Sequence, residues 1–267
     1  MTDLPPHRTW NRGGARPVLA LHCSLAHAGA YSGLAEALHG VTLTAMDFIG
    51  HGKARDWDRV EDYHSAATDD AIALAETLGQ GAPIDLIGHS FGGTVALRMV
   101  ATRPDLVRSL ILIEPVFFAA ARAAKAPEWD AFITDHQGFG ALVASGQTLE
   151  AARQFHAVWG GGEPFDALPA RMQAYMAERI HLITAPWPMV LEDAPRLLAP
   201  GRLETIRLPV LLLEGNLSPE IVGAVNAALA ARLPHAHRMT VPGAGHMLPI
   251  SHPEQIAPLL AAHLAAS

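Results

Sequence analysis

The sequence predicts an α/β fold: one mostly parallel sheet with helices on both faces, interrupted by a helical insertion. Three observations predict it. Short apolar runs alternate with segments of helical periodicity, the pattern of right-handed strand–helix–strand crossovers. The runs are continuously apolar, as strands covered on both faces must be. Between Val116 and Pro200 the alternation stops and the chain leans to helix, punctuated by Gly160-Gly161-Gly162 and several prolines. The expected division is therefore a core of residues 1–115 and 201–267, with a helical lid over 116–200.

The elements follow in order. Val18–Leu21 is the first clear strand and ends at His22-Cys23-Ser24. A helix follows over Gly29–Leu38, then a strand at Val41–Met46. Ser65–Leu78 carries Ala71, Ile72, Leu74, Ala75 and Leu78 at helical spacing, with Asp69, Asp70 and Glu76 on the other side. Ile84–Ile87 is a third strand, leading through Gly88-His89-Ser90-Phe91-Gly92-Gly93 into a helix that runs to Ala101. Leu110–Ile113 and Val210–Leu213 supply two more strands, His237–Val241 a sixth, and His252–Ala266 a closing helix. In the insertion, helices are expected over Ala119–Ala126, Gly140–Val158 and Pro169–Ile183. That stretch also holds Trp129, Trp159 and Trp187, three of the five tryptophans, and an insertion of this size is expected to be a folded cover rather than a structureless loop.

Composition narrows the function. The 267 residues are 50% hydrophobic and 17% charged, which excludes a disordered chain. A net charge of −7 leaves no basic footprint, so no nucleic-acid partner is expected. The amino-terminal MTDLPPHRTWNRGG has no apolar leader core, and the apolar runs are short for a membrane span, so no membrane partner is expected. With the single cysteine Cys23 there is no disulfide framework, and a cytoplasmic home is expected. The 15 histidines are scattered without ligand spacing, so no metal and no cofactor are expected. A monomer or homodimer acting on a small molecule fits these limits.

The pentapeptide Gly88-His89-Ser90-Phe91-Gly92 lies between an apolar strand and a helix, the setting of a nucleophile elbow. Glycines let the chain turn sharply and lift the Ser90 hydroxyl above the sheet, while the next helix aims its amino end at the site. A serine nucleophile needs a base, and Gly243-Ala244-Gly245-His246 follows the last strand in a flexible loop able to carry an imidazole to the same sheet edge.

These segments, with Asp47-Phe48-Ile49-Gly50-His51-Gly52 after the second strand, resemble the α/β-hydrolase superfamily in order along the chain from about Val18. The resemblance implies a serine hydrolase, with Ser90 as nucleophile and His246 as base. The oxyanion would rest on the amides of Ser24 and Phe91. The sequence departs from the family pattern twice. Where members commonly carry His-Gly after the first core strand, this chain has His22-Cys23, a replacement shared by hydroxynitrile lyases of the fold. Cys23 is expected to be buried and inert. Where members place the acid after the penultimate strand, Ser218 stands in Glu214-Gly215-Asn216-Leu217-Ser218-Pro219-Glu220. Other members draw the acid from the end of the preceding strand, which here is Glu114. Glu114 is therefore the first choice, with Glu220 and Glu214 as alternatives.

Asp47 and His51 are expected to satisfy loop amides, and His89 to be structural. Phe117, Phe118, Trp129, Phe155, Trp159, Trp187 and Met189 are expected to pack as an apolar cover that excludes water. The expected reaction is cleavage of a small apolar ester, thioester or lactone through an acyl-enzyme. A carbon–carbon hydrolase or hydroxynitrile-lyase-like reaction on the same residues is one alternative, and a non-catalytic binding protein on the same scaffold is another.

Overall fold

A computed structural model describes residues 4–11 and 14–267; residues 1–3 and 12–13, part of the segment read for a leader, lie outside it. Seven strands form one sheet: β1 (His7–Asn11), β2 (Arg16–Leu21), β3 (Val41–Met46), β4 (Ile84–His89), β5 (Val107–Ile113), β6 (Val210–Gly215) and β7 (Ala236–Val241). Their spatial order is β1-β3-β2-β4-β5-β6-β7, and every pairing is parallel except that of β1 with β3. Helices α1 (Ser32–Ala37), α2 (Tyr63–Gly79) and α3 (Phe91–Thr102) belong to the first half of the chain. The stretch between β5 and β6 contains α4 (Phe118–Ala123), α5 (Trp129–Ala144), α6 (Thr148–Trp159), α7 (Ala170–Arg179), α8 (His181–Thr184) and α9 (Trp187–Val190). The chain ends with α10 (Glu220–Ala230), α11 (Leu248–Ser251) and α12 (Pro253–Ala265).

Because strand side chains alternate, one apolar run serves two cores. On β5, Leu110 and Leu112 join the core on one face, whereas Ile111 and Ile113 join the other. The first face is covered by α2, α3 and α10 through residues such as Leu74, Val95 and Val225. The second is covered by α1 and α12 through Leu34 and Leu260. A third, smaller core of Phe139, Ala151, Ala152, Phe165, Leu168, Ile180 and Ile183 lies within the segment between β5 and β6.

At the amino ends of the central strands, the carboxylate of Asp85 is fully buried and accepts hydrogen bonds from Arg16 on β2 and from Arg108 and Ser109 on β5. Burial pushes its pKa up, but the two guanidinium groups and the hydroxyl outweigh it, leaving Asp85 below the usual carboxylate range. No helix among the described residues is long and apolar enough to cross a membrane.

Some elements differ from the sequence expectation. β1 was not expected: it is an edge strand, exposed along most of its length, and so carries no apolar run. The single helix expected over Gly140–Val158 is two, since α5 starts at Trp129 and ends before Gly146. There Gly146 has φ 76, and the amides of Gly146 and Gln147 turn back onto the carbonyls of Val143 and Leu142. The helix expected over Pro169–Ile183 is divided at Ile180 into α7 and α8. Helix α10 follows a loop read only for its acidic residues.

Candidate active site

The strand order reverses direction between β2 and β4: the chain passes from β2 out to β3 and returns to β4. A crevice therefore opens beyond the carboxyl ends of β2 and β4. Ser24 follows β2 and Ser90 follows β4, and both line a small cavity of about 40 Å³ there, together with Phe91 and His246.

Ser90 occupies the bend between β4 and α3 at φ 55, ψ −117, a strained conformation for a residue with a side chain. Its amide donates to the carbonyl of Ile113 at 2.9 Å, tying the bend to β5. The flanking glycines are required by close approach. A Cβ on Gly88 would stand 2.4 Å from the carbonyl oxygen of Gly92, and one on Gly92 would stand 2.2 Å from that of Leu21. Phe91 is the first residue of α3, so its amide has no intrahelical acceptor and is available to the cavity.

His246 arrives on the loop after β7. Its Nε2 lies 3.0 Å from Ser90 Oγ, and its Nδ1 lies 2.6 Å from Glu114 Oε2. With Nδ1–H donating to the carboxylate, Nε2 is left to accept the Ser90 hydroxyl. His89, beside Ser90 in sequence, donates from Nε2 to the main-chain carbonyl of His246 at 2.8 Å, anchoring that loop. Burial, with the neighbouring His246 ring, pushes His89 down to about 3, so it remains neutral. The Trp159 ring packs edge-on against the imidazole of His246.

Glu114 is fully buried at the end of β5 and has φ 49. Its amide donates to the carbonyl of Leu213, while its Oε1 accepts from the Gly215 amide at 2.7 Å and from the Ser218 hydroxyl. Burial alone would raise its pKa; the hydrogen bond and charge of His246, the Gly215 amide and Ser218 reverse that and hold it below the ordinary range. Thus Ser218, which stands where an aspartate was expected, donates its hydroxyl to the Glu114 carboxylate at the end of β5. The other two carboxylates lie elsewhere. Glu214 accepts from Asn226 and Arg238 on the far side of β6, and Glu220 borders a separate cleft.

The turn carrying Ser24 is held by two buried neutral histidines. His22 donates from Nδ1 to the Cys23 carbonyl at 2.7 Å and accepts the Phe48 amide at Nε2. His51 donates to the Ile49 carbonyl and accepts the amide of Leu25, whose φ is 63. Burial pushes His51 to about 4 and His22 well below its usual value, so both stay uncharged in this role. Asp47 takes the amides of Ala28 and Lys53. Cys23 is buried and its thiol is pushed up to about 12 by desolvation. It lines a small separate recess behind the site, next to Tyr31 and His89.

Much of the cavity wall comes from the segment between β5 and β6. Phe118, Phe155, Trp159 and Trp187 line it, whereas Phe117 and Met189 are buried in the main core and Trp129 packs beside Phe132. One polar side chain of this wall went unnoticed in the sequence: His136, whose ring lies among Phe118, Phe132 and Trp187. Burial pushes it down to about 4, so its imidazole is neutral. No local motif marks it; only the fold brings it to the cavity.

The model of the alpha/beta hydrolase family matches residues 18–259. The chain belongs to that family. Among curated members it is similar to the lipase LipV of Mycobacterium tuberculosis, with 29% identity over 98% of both chains. It is also similar to a pimeloyl-[acyl-carrier protein] methyl ester esterase of Nitrosomonas europaea, with 27% identity over 91% of this chain and 93% of that one. Among solved family folds, an alpha/beta hydrolase from Sphaerobacter thermophilus superposes with a TM-score of 0.68 at 22% identity, covering 98% of this chain and 99% of its own. An esterase from Exiguobacterium antarcticum reaches 0.72 at 16% identity, covering 97% and 94%. At these identities the structural likeness shows the fold.

Proposed function

We propose that this protein is a serine hydrolase that cleaves apolar carboxylic esters through an acyl-enzyme, with Ser90, His246 and Glu114 as its catalytic residues. The observation that carries the reading is the continuous chain from Ser90 Oγ through His246 to the Glu114 carboxylate, at 3.0 and 2.6 Å. The ester-cleaving activities named for the two curated relatives support the choice of bond.

In this mechanism the Ser90 hydroxyl proton moves to His246 Nε2 as Oγ bonds to the ester carbonyl carbon. The carbonyl π electrons move to oxygen, and the amides of Ser24 and Phe91 receive the oxyanion. One such donor is worth about 3 kcal/mol in the transition state. Glu114 holds the imidazolium by charge and fixes its orientation. Collapse of the adduct breaks the bond to the alkoxy oxygen, which leaves as the alcohol with the proton from His246. Water then gives a proton to His246 and attacks the acyl carbon. Collapse of the second adduct breaks the acyl–Oγ bond, frees the acid and returns the proton to Ser90. The aromatic wall from residues 116–200 acts as the lid over this chemistry and keeps bulk water from the reacting atoms.

Ser90→Ala tests the proposal. Turnover of p-nitrophenyl butyrate is expected to disappear, and stoichiometric labelling of the native protein by a fluorophosphonate is expected to disappear with it. Native-like turnover in the variant would end the reading.

A further inference from the structure

A second and larger cleft, about 250 Å³ and open to solvent, lies beyond the catalytic cavity. The two spaces share three lining residues, His136, Phe155 and Trp159. They are therefore separated by one layer of side chains. Phe155 and Trp159 stand one turn apart on α6, with ring centres 6.5 Å apart, and neither ring is tethered by a hydrogen bond among the described residues. His136 adds the polar element of the partition, and its imidazole likewise has no hydrogen-bond partner among the described residues.

The chemistry of the outer cleft is specific. Its floor is apolar, formed in part by Phe132, Phe139 and Ile221, while Glu128, Asp135 and Glu220 stand around it. None of these three carboxylates forms an ion pair among the described residues. An apolar chain would bury surface there, whereas a chain ending in a carboxylate would meet like charge.

We infer that the outer cleft is a second substrate subsite, which receives an extended apolar arm of the ester, uncharged or cationic at its end, after it passes between His136, Phe155 and Trp159. His136 meets an oxygen or nitrogen placed at that depth of the arm. This assignment rests on the ester-hydrolase reading and specifies its substrate class: an elongated ester rather than a compact one. Continuity with the catalytic cavity through a single side-chain layer is what distinguishes the cleft from an unrelated surface hollow.

The test is a kcat/KM series for p-nitrophenyl esters from acetate to dodecanoate and for matching alkyl acetates, so that either arm can reveal itself. In the native enzyme each methylene that enters the subsite is expected to raise kcat/KM by about fourfold. Ala131→Trp, which fills the outer cleft from α5, is expected to lower the long-to-short ratio about tenfold or more in the responding series. Phe155→Ala, which thins the partition, is expected to raise it. For arms ending in a carboxylate rather than a methyl group, Glu220→Gln is expected to improve kcat/KM about twofold to fivefold. Ratios measured within one variant cancel differences in the amount of folded protein. A long-to-short ratio unmoved by both Ala131→Trp and Phe155→Ala, in an enzyme that cleaves the short esters, overturns the subsite. Absence of turnover by the native enzyme on every ester would instead overturn the ester reading, and the subsite with it.

Discussion

Replacing Glu114 by glutamine isolates the part of the site whose position in the sequence is least conventional. The carboxylate accepts three donors: Nδ1–H of His246, the Gly215 amide and the Ser218 hydroxyl. A glutamine of the same shape has one acceptor oxygen and two N–H donors. If the oxygen keeps Gly215 and Ser218, the amide nitrogen faces Nδ1 and must donate to it. The imidazole proton then moves to Nε2, which can no longer accept the Ser90 hydroxyl across 3.0 Å. The expected result is a fall in kcat of about 10⁴, or roughly 5 kcal/mol of transition-state stabilisation, with KM little altered because the group does not touch substrate. Steady-state kinetics on p-nitrophenyl butyrate, with near-UV circular dichroism to confirm packing, make the measurement. Ser218→Ala is the milder version: it removes one donor worth about 1 kcal/mol and should cost about fivefold in kcat. Should Glu114→Gln keep kcat within about threefold of native while Glu220→Gln or Glu214→Gln abolishes it, the assignment of the acid is refuted.

Three further outcomes concern stability and reactivity. His64 and His89 are pushed down to about 3 and His51 to about 4 by burial, so each binds a proton in the unfolded chain before the folded one as pH falls below 6.5. Their contribution is present above pH 6.5 and is lost toward the folded pKa. Unfolding free energies from urea titrations between pH 6.5 and 4.5 should fall by up to about 1.4 kcal/mol per pH unit for each group, and His64→Gln should remove one such increment; an unchanged slope in that variant would contradict the reasoning. Asp85→Ala strips the partner from Arg16 and Arg108 at the end of the sheet remote from Ser90. It should destabilise by about 2–3 kcal/mol, discounted because both guanidinium groups reach solvent, yet leave the kcat of the folded fraction near native; a loss of kcat without loss of stability would count against it. Cys23, with its thiol pushed up to about 12, should resist iodoacetamide at pH 8 in the folded protein and react after denaturation, as followed by mass spectrometry.

How far the sequence could be read depended on whether the information was local. Ser90 and His246 lie in glycine-rich turns beside apolar strands, and the same backbone demand that places the glycines also positions the side chains. Glu114 came into view only through the family resemblance, which points to the end of its apolar strand, and Glu220 and Glu214 stood beside it as alternatives. The part played by Ser218 was not, because its partner lies 104 residues away and nothing local separates a hydroxyl that orients a carboxylate from one in an ordinary turn. Strand β1 escaped because an exposed edge strand has no apolar run. The break between α5 and α6 escaped because Gly146 interrupts a helical pattern whose apolar spacing resumes beyond it. His136 was beyond reach for a related reason: helical periodicity can assign a residue to a face, but which cavity that face closes depends on how the helices pack.

Placing the carboxylate partner of His246 on β5 rather than on the loop after β6 has a mechanical consequence. Ser90 hangs on β5 through the Ile113 carbonyl, and Glu114 hangs on β6 through that of Leu213, so the proposed nucleophile and acid ride on one hydrogen-bonded lattice. Only the histidine is delivered by a loop, and the His89 ring is the latch that holds it. Assembly of the whole constellation is thereby reduced to seating one segment against a rigid frame, and heat should disarm the enzyme by unlatching that segment before the frame itself gives way.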